Sequence, residues 1–380
     1  MLPAPRLLLM LLVLTLAGLT VAAPAQAQVT RKKAMWGPLL TPDGSKPTWP
    51  IYADLGVGIF QYRLDWKTVA TERPQNPTDP EDPAYDWPSS LDDNIQEAGK
   101  YGIEILLMVR QTPEWSNGVP FWWNSPKRLA DYGDFLEAAA KRYPRIRHWM
   151  VWGEPSRTTG LNPPVTEGAS FAQKSRERGQ YYARMLDMAY GRLKRVSRSN
   201  LVIGGNSYDQ NAAAPGFQPA RRWVRNLKLP NGKPPRLDMY GHNPFSSRSP
   251  NLKQKPRRDA RGRDLLGADF ADLDTLHKDV NRFLRRKRGK KIPIFVSEYA
   301  LQTDRDSEVF NFHVSRETQA KWLRQALRTV RRSKWIYSFG YFRLNDTRPD
   351  NANDNTFPTW GLMSSDLSEK KPGYFAFKRG

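Results

Sequence analysis

The sequence predicts an α/β protein, a (β/α)8 TIM barrel built as a single domain. Three observations lead to this fold class: eight short apolar runs, helical segments between them, and long loops after the apolar runs. Strands that alternate with helices over a chain of this length are typical of such barrels. A doubly wound open sheet is the alternative, but no G-x-G-x-x-G segment follows the first strand, as a dinucleotide-binding sheet would require.

The first 27 residues have the features of a cleaved signal peptide. Arg6 precedes an apolar stretch at 7–21, and Ala-Gln-Ala at 25–27 is typical of a cleavage site. An uncleaved membrane anchor is the alternative, although the stretch is short for a span of about 20 residues. We therefore expect a signal peptide at 1–27 and a barrel domain at 28–380. The protein would be secreted, extracellular or cell-wall associated, without membrane contact after cleavage.

The predicted strands are nearly continuous apolar runs. Such runs indicate parallel strands that are buried on both faces. In chain order they cover residues 34–40, 58–66, 103–110, 148–155, 201–207, 237–245, 292–300 and 336–346.

Amphipathic segments between these runs predict helices. The first of them begins with serines and ends at a glycine, which are common helix boundaries. The predicted helices cover residues 89–102, 126–143, 180–196, 272–289 and 316–332.

The loops after the strands are much longer than the turns before them. They cover residues 67–88, 111–126, 156–172, 246–268, 301–316 and 347–368. In barrel enzymes the active site is built from the loops at the carboxyl ends of the strands. We therefore expect the functional site at that end.

The chain is strongly basic, with a formal net charge of +22. Four basic clusters fall at predicted helix carboxyl ends, where cations complement the helix dipole; they cover residues 141–147, 192–198, 285–291 and 331–334. A fifth, at 248–263, follows the sixth strand on the expected site side and introduces an acidic substrate as a hypothesis. An anionic cell-wall polymer is a candidate partner, and nucleic acid is not expected.

Two glutamates end apolar strands. Glu154 follows the fourth strand in "MVWGEPSR", and Glu298 ends the seventh in "IPIFVSEYA". A buried carboxylate is costly unless it is paired or hydrogen-bonded. Because strand ends converge on one rim of a barrel, the two can face each other, and facing carboxyl groups suit glycosidic bond cleavage. A separation of about 5–5.5 Å would give retention.

These segments resemble glycoside hydrolase clan A, the barrel superfamily that includes families 5 and 39. The resemblance implies that Glu154 is the acid/base and Glu298 the nucleophile. "YRLDW" is similar to the clan's second strand and implies that Arg63 orients the nucleophile. "YGHNPF" resembles the sixth strand and places His242 and Asn243 in the cleft.

Aromatic residues predict the sugar contacts. Trp115 and Trp123 lie in the aromatic loop after the third strand, where Phe121 and Trp122 could instead cover an apolar patch. Tyr299 and Phe342, next to the seventh and eighth strand ends, are further candidates for substrate binding.

The sequence departs from the clan pattern at two places. Gly153 precedes the acid/base, where the clan usually has an Asn that binds the substrate 2-hydroxyl. The eighth strand ends in Tyr341, Phe342 and Arg343, where the clan often has a Trp. A residue other than the one at position 153 must then bind the substrate 2-hydroxyl.

No cofactor or metal is expected, because the four histidines are scattered. The sequence thus predicts a secreted retaining glycoside hydrolase that acts on a polysaccharide or oligosaccharide. A catalytically idle barrel that binds an anionic cell-surface glycan is the alternative.

Overall fold

The computed structural model describes residues 28–117, 125–208, 218–286, 289–308, 312–347 and 358–380. The expected signal peptide lies outside the described residues and stays a prediction.

Eight parallel strands close into one barrel. Each strand pairs with the next one along the chain, and the eighth pairs with the first. The predicted (β/α)8 fold is confirmed. The strands are β1 (Thr30–Trp36), β2 (Val57–Asp65), β3 (Glu104–Arg110), β4 (His148–Val151), β5 (Leu201–Tyr208), β6 (Met239–Asn243), β7 (Ile294–Tyr299) and β8 (Ile336–Phe342).

Helices connect the strands, and all five predicted ones are present. The helices are α1 (Trp49–Asp54), α2 (Trp66–Val69), α3 (Ser89–Lys100), α4 (Glu114–Asn117), α5 (Leu129–Arg142), α6 (Phe171–Val196), α7 (Ala220–Asn226), α8 (Leu273–Phe283), α9 (Arg316–Arg332) and α10 (Pro372–Arg379). Within the described part of the chain, no helix has both the length and the apolar character needed to cross a membrane.

The strand β1 begins earlier than predicted, because its first half contains charged residues. Lys33 is buried, and its ammonium group donates to the backbone carbonyls of Leu55, Phe377 and Lys378 at 3.1, 2.7 and 3.0 Å. The last two carbonyls lie at the end of α10, where helix carbonyls lack partners within the helix. Burial lowers the pKa of Lys33 to about 8.

The helix α6 also begins earlier than predicted, at Phe171 instead of residue 180. The hydroxyl of Ser170 accepts a hydrogen bond from the backbone N–H of Gln173 at 3.3 Å and so caps the helix.

The apolar core has two layers. A small inner cluster fills the barrel, and a larger outer cluster lies between the strands and the helices. The inner cluster consists of Ala34, Ile59, Leu106, Met108, Met150, Ile203, Met239 and Phe295. Because each strand packs against both layers, its sequence is apolar on both faces.

Candidate active site

A cavity of about 550 Å³ lies at the carboxyl-terminal rim of the barrel. Its walls come from the ends of β1, β2, β3, β7 and β8 and from the segment after β4. Glu154 and Glu298 both line it. The structure therefore brings the two predicted catalytic carboxyl groups into one cavity.

An irregular backbone after β4 presents Glu154. Trp152 and Glu154 adopt φ angles of 70° and 46°, which are unusual for residues with a Cβ. Gly160 packs against this turn so closely that a Cβ there would lie 2.2 Å from the Glu154 carbonyl oxygen. The indole N–H of Trp152 donates to the Gly160 carbonyl at 2.8 Å and holds the two segments together. Such strained backbone is common at functional sites.

Two neighbours hold the Glu154 carboxylate. The side-chain amide of Asn243 donates to Oε1 at 2.9 Å, and the Arg157 guanidinium pairs with Oε2 at 2.6 Å. Asn243 thus contacts Glu154, although it does not line the cavity itself. Arg157 was not predicted, although it lies three residues after Glu154 in the same motif.

An irregularity in β7 turns Glu298 toward the cavity. Val296 pairs with Phe339 and Tyr299 with Tyr341, so that β7 has one residue more than β8 over this stretch. An extra residue of this kind re-aims side chains and is common near active sites. Ser297 is fixed beneath the cavity, since its carbonyl accepts from the Gln61 amide at 2.8 Å and its hydroxyl donates to Gln61 Oε1 at 2.9 Å.

Of the two carboxyl groups that line the cavity, Glu298 has fewer partners that could stabilise its charge. Among the described residues, no hydrogen-bond donor or cation is paired with its carboxylate. Burial, and next the charge of Glu154, raise its pKa well above the usual range, and Arg157 and Arg110 only partly oppose this. The empty site therefore favours the protonated form of Glu298 more than solvent would.

Among the residues that the structure describes, three arginines line the same cavity. They are Arg63, Arg110 and Arg343. Arg63 is half exposed and forms an ion pair with Asp65 at 3.0 Å. Among the described residues it makes no hydrogen bond or ion pair with Glu298, the residue that it was predicted to orient. Arg110 is more buried, and its charge acts on both glutamates. Arg110 was not predicted as a site residue. It could have been, because it is a charged residue at the end of an apolar strand, as Glu298 is.

Gly153 leaves space for Arg110 beside Glu154. A Cβ at position 153 would lie 2.9 Å from the sulfur of Met108 and 3.6 Å from Cδ of Arg110. Where the clan usually has an Asn side chain, this protein therefore has the side chains of Met108 and Arg110 from β3.

Comparisons with known proteins were made for sequence and for fold. No protein-family profile matches the sequence, and no curated protein matches it. A family 39 glycoside hydrolase from Bacteroides cellulosilyticus WH2 superposes with a TM-score of 0.64 at 16% identity, over 93% of this chain and 63% of that one. A family 39 β-xylosidase from Caulobacter crescentus gives a TM-score of 0.60 at 16% identity, over 94% of this chain and 72% of that one.

The chain has the fold of family 39 glycoside hydrolases. A glucosidase from Croceicoccus marinus is also similar, with a TM-score of 0.61 at 14% identity over 93% of this chain and 67% of that one. The chain spans about two thirds of the length of these proteins. At such low identity the likeness establishes the barrel, and the chemistry has to be argued from the site.

His242 corrects one expectation for the cleft. It is completely buried and lies outside the cavity, with Nδ1 2.9 Å from the Ser207 carbonyl and Nε2 2.5 Å from the Ala268 carbonyl. The reason is the alternation of β6, in which Met239 faces the inner core and Asn243 contacts Glu154. His242 therefore points toward the outer layer, where burial lowers its pKa to about 4.

Tyr299 also lies in the outer layer and not in the cavity. Its ring packs against Phe270 and Phe339 at centroid distances of 5.4 and 5.2 Å. The extra residue in β7 that turns Glu298 inward turns Tyr299 outward. Phe342, by contrast, lines the cavity and packs edge-on against Trp36 and Trp360.

Trp115 is a packing residue and does not line the cavity. Its indole N–H donates to the Ala70 carbonyl at 2.8 Å, its ring packs edge-on against Trp66, and the Arg73 guanidinium lies 4.6 Å from the ring centre. Trp123 lies outside the described residues, as do Phe121 and Trp122.

No residue of the basic loop at 248–263 belongs to the described lining of the cavity. Arg248 is bound to Asp269 and Asp272, and Arg263 is bound to Asp259 at 2.7 Å. The argument for an acidic substrate therefore cannot rest on this loop. Among the described residues, no group of three or more His, Asp or Glu side chains could hold a metal ion.

Proposed function

We propose that the protein is a secreted retaining glycoside hydrolase that cleaves O-glycosidic bonds of a polysaccharide or oligosaccharide. The observation that carries the proposal is the presence of Glu154 and Glu298, from two distant strand ends, in one cavity of a family 39-like barrel. The cavity is of the size range that binds small ligands.

Glu154 acts as the acid/base and Glu298 as the nucleophile. In the first step Glu298 attacks the anomeric carbon while Glu154 gives its proton to the leaving oxygen, so that a glycosyl-enzyme ester forms and the aglycone departs. In the second step Glu154 takes a proton from water, whose oxygen displaces Glu298 from the anomeric carbon. Asn243 orients Glu154 in both steps through its amide hydrogen bond.

The first step needs an ionised Glu298 and a proton on Glu154. Burial and the nearby Glu154 raise the pKa of Glu298, which opposes its ionisation in the empty site. A substrate that places its glycosidic oxygen against Glu154 and the developing positive charge of its anomeric carbon against Glu298 favours the arrangement that the reaction needs.

The ion pair between Arg157 and Glu154 also supports a second candidate, the idle barrel that binds an anionic cell-surface glycan. If Arg157 never releases Glu154, the site binds sugar without cleaving it. The accessible cavity favours the enzyme, because a binding surface would not need two carboxyl groups at its base.

Hydrolysis of a glycan panel by the mature protein tests the proposal. We expect wild-type turnover of at least one glycan, loss of turnover in E154Q and E298Q, and no change in E97Q, a control for the loss of an exposed carboxylate on α3. Proton NMR of the first product should show retained anomeric configuration. Inverted product would exclude Glu298 as nucleophile, and glycan binding without turnover would favour the idle barrel.

Export is tested by mass spectrometry of protein recovered outside the cell. A mature amino terminus near Gln28 is expected. Recovered protein that still carries residues 7–21 would show an uncleaved anchor instead.

A further inference from the structure

The cavity has an excess of positive charge. Its described lining contains three guanidinium groups, on Arg63, Arg110 and Arg343, and two carboxyl groups, on Glu154 and Glu298. Asp65 compensates Arg63 in an ion pair at 3.0 Å. Glu154 is bound to Arg157 at 2.6 Å. Arg110 and Arg343 therefore outnumber Glu298, the one remaining carboxyl group of the described lining.

Arg343 is the least compensated of these cations. It follows β8 and is largely buried in the wall, and burial lowers its pKa. Within the residues that the structure describes, no carboxylate pairs with it, and its buried Nε has no acceptor. A buried charge without a partner is costly, and an anionic ligand in the cavity would remove that cost.

A second donor without an acceptor lies on the neighbouring strand. The buried indole Nε1 of Trp36 has no partner among the described residues, and Trp36 lines the same cavity. Trp36 is paired in register with Phe342, the residue before Arg343. The wall formed by β1 and β8 thus carries two unsatisfied donors on the side of the cavity next to β7 and Glu298.

Arg110 extends the positive potential across the cavity. Its Nε lies 3.9 Å from Asp65 Oδ1, too far for a hydrogen bond, and has no acceptor among the described residues. The absence of a side chain at Gly153 lets Arg110 lie beside Glu154. An anionic group between β8 and β3 would therefore meet favourable potential from both sides.

From these contacts we propose that the cavity binds a sugar residue that carries a carboxylate, a uronosyl residue, and that Arg343 donates to this carboxylate. The proposal rests on the proposed glycosidase function and names the substrate class of that site. The planar guanidinium fork matches a carboxylate, and one uncompensated cation matches its single charge. Arg343 is thus a specificity-determining residue.

The experiment uses 4-nitrophenyl β-D-glucuronide, β-D-glucoside and β-D-xyloside, which carry a carboxylate, a hydroxymethyl group or a hydrogen at C5. The β-D-galacturonide and β-D-galactoside form a second matched set. In the wild-type protein we expect kcat/KM for a uronide to exceed that of its neutral partners at least tenfold. R343Q should abolish this preference mainly through KM, and R343K should keep part of it.

Charge and turnover are controlled separately. R332Q removes an equal charge on the exposed end of α9 and should leave the preference unchanged. Calorimetry with E298Q measures binding without turnover. The ligands are an oligouronate and its neutral, carboxyl-reduced counterpart. A sulfated oligosaccharide tests whether an anion other than a carboxylate binds equally well.

The outcomes separate the two proposals. Turnover of neutral glycosides without preference for the uronide overturns the uronate site and leaves the hydrolase. Binding of oligouronate that depends on Arg343, without turnover of any glycoside, supports the uronate site and overturns the hydrolase. Equal binding of the sulfated oligosaccharide overturns the carboxylate specificity, and absence of oligouronate binding overturns the proposal.

Discussion

Glu298 carries an electrostatic cost in the folded protein. Its carboxyl group is desolvated and lies near Glu154, and both effects raise its pKa. Between the ordinary carboxyl pKa and this raised value, the unfolded chain has lost the proton that the folded chain still holds. The free energy of unfolding therefore falls as the pH rises through that window.

Replacing Glu298 by glutamine removes this cost along with the nucleophile. We expect E298Q to be inactive and more stable than the wild type at pH 7, by about 1.4 kcal/mol for each unit by which the pKa is raised. The difference should shrink as the pH falls toward 4, where the wild-type carboxyl is protonated in both states. Urea unfolding at pH 4 and 7 measures it, and equal stabilities at pH 7 would contradict the raised pKa.

His242 has the opposite pH dependence. Burial lowers its pKa to about 4, so the unfolded chain takes up a proton first as the pH falls. The contribution of His242 to stability is therefore fully present above its usual pKa of 6.5 and is lost between that value and about 4. NMR titration of the imidazole should show a neutral ring down to about pH 4, and a midpoint near 6.5 would contradict the buried position.

At the scale of the elements, the contact between β7 and β8 positions the nucleophile. The extra residue in β7 lies against Gly340 of β8, where a Cβ would be 2.2 Å from the Ser297 carbonyl oxygen and 2.7 Å from the Gln61 amide nitrogen. The two strands can approach this closely only because position 340 has no side chain.

Alanine substitution of two glycines tests this contact. G340A should lower the free energy of unfolding by about 1–3 kcal/mol, because the Cβ meets a backbone atom, and should lower kcat by displacing Glu298. Gly99 lies within α3 with no atom within 4 Å of an added Cβ, so G99A should raise stability by about 0.5–1 kcal/mol and leave kcat unchanged. If G340A kept wild-type kcat, the contact would not position the nucleophile.

At the scale of the whole molecule, much of the positive charge lies away from the cavity. Arg324, Arg328 and Arg332 are exposed on α9 at a spacing of four residues, and none has an acidic partner among the described residues. Like charges at this spacing repel one another on a helix. We therefore expect this face to adhere to an anionic polymer and to contribute little to stability.

Replacing these three arginines by glutamine should weaken adsorption to anionic cell-wall material and leave turnover of a small glycoside unchanged. Adsorption of the wild type should fall with salt, because exposed charges are screened over about 8–10 Å at physiological ionic strength. Co-sedimentation at low and high salt measures adsorption. Loss of turnover in the triple variant would show that the face acts on the active site.

The barrel, its eight strands and the two glutamates near the ends of β4 and β7 could be predicted from the sequence. These features depend on local patterns, since apolar runs of strand length and the residue that ends each run are visible along the chain. The burial of Lys33 could not be predicted from such patterns, because its carbonyl partners come from distant segments.

Which side chains share the cavity depends on contacts between elements that are distant in the sequence. The extra residue in β7 set the opposite directions of Glu298 and Tyr299, and the alternation of β6 separated Asn243 from His242. The wall that contains Arg343 is formed by strands joined across the closure of the barrel, far apart in the chain. A side chain's direction depends on strand register and on partners from other elements, and neither is encoded in the residues next to it.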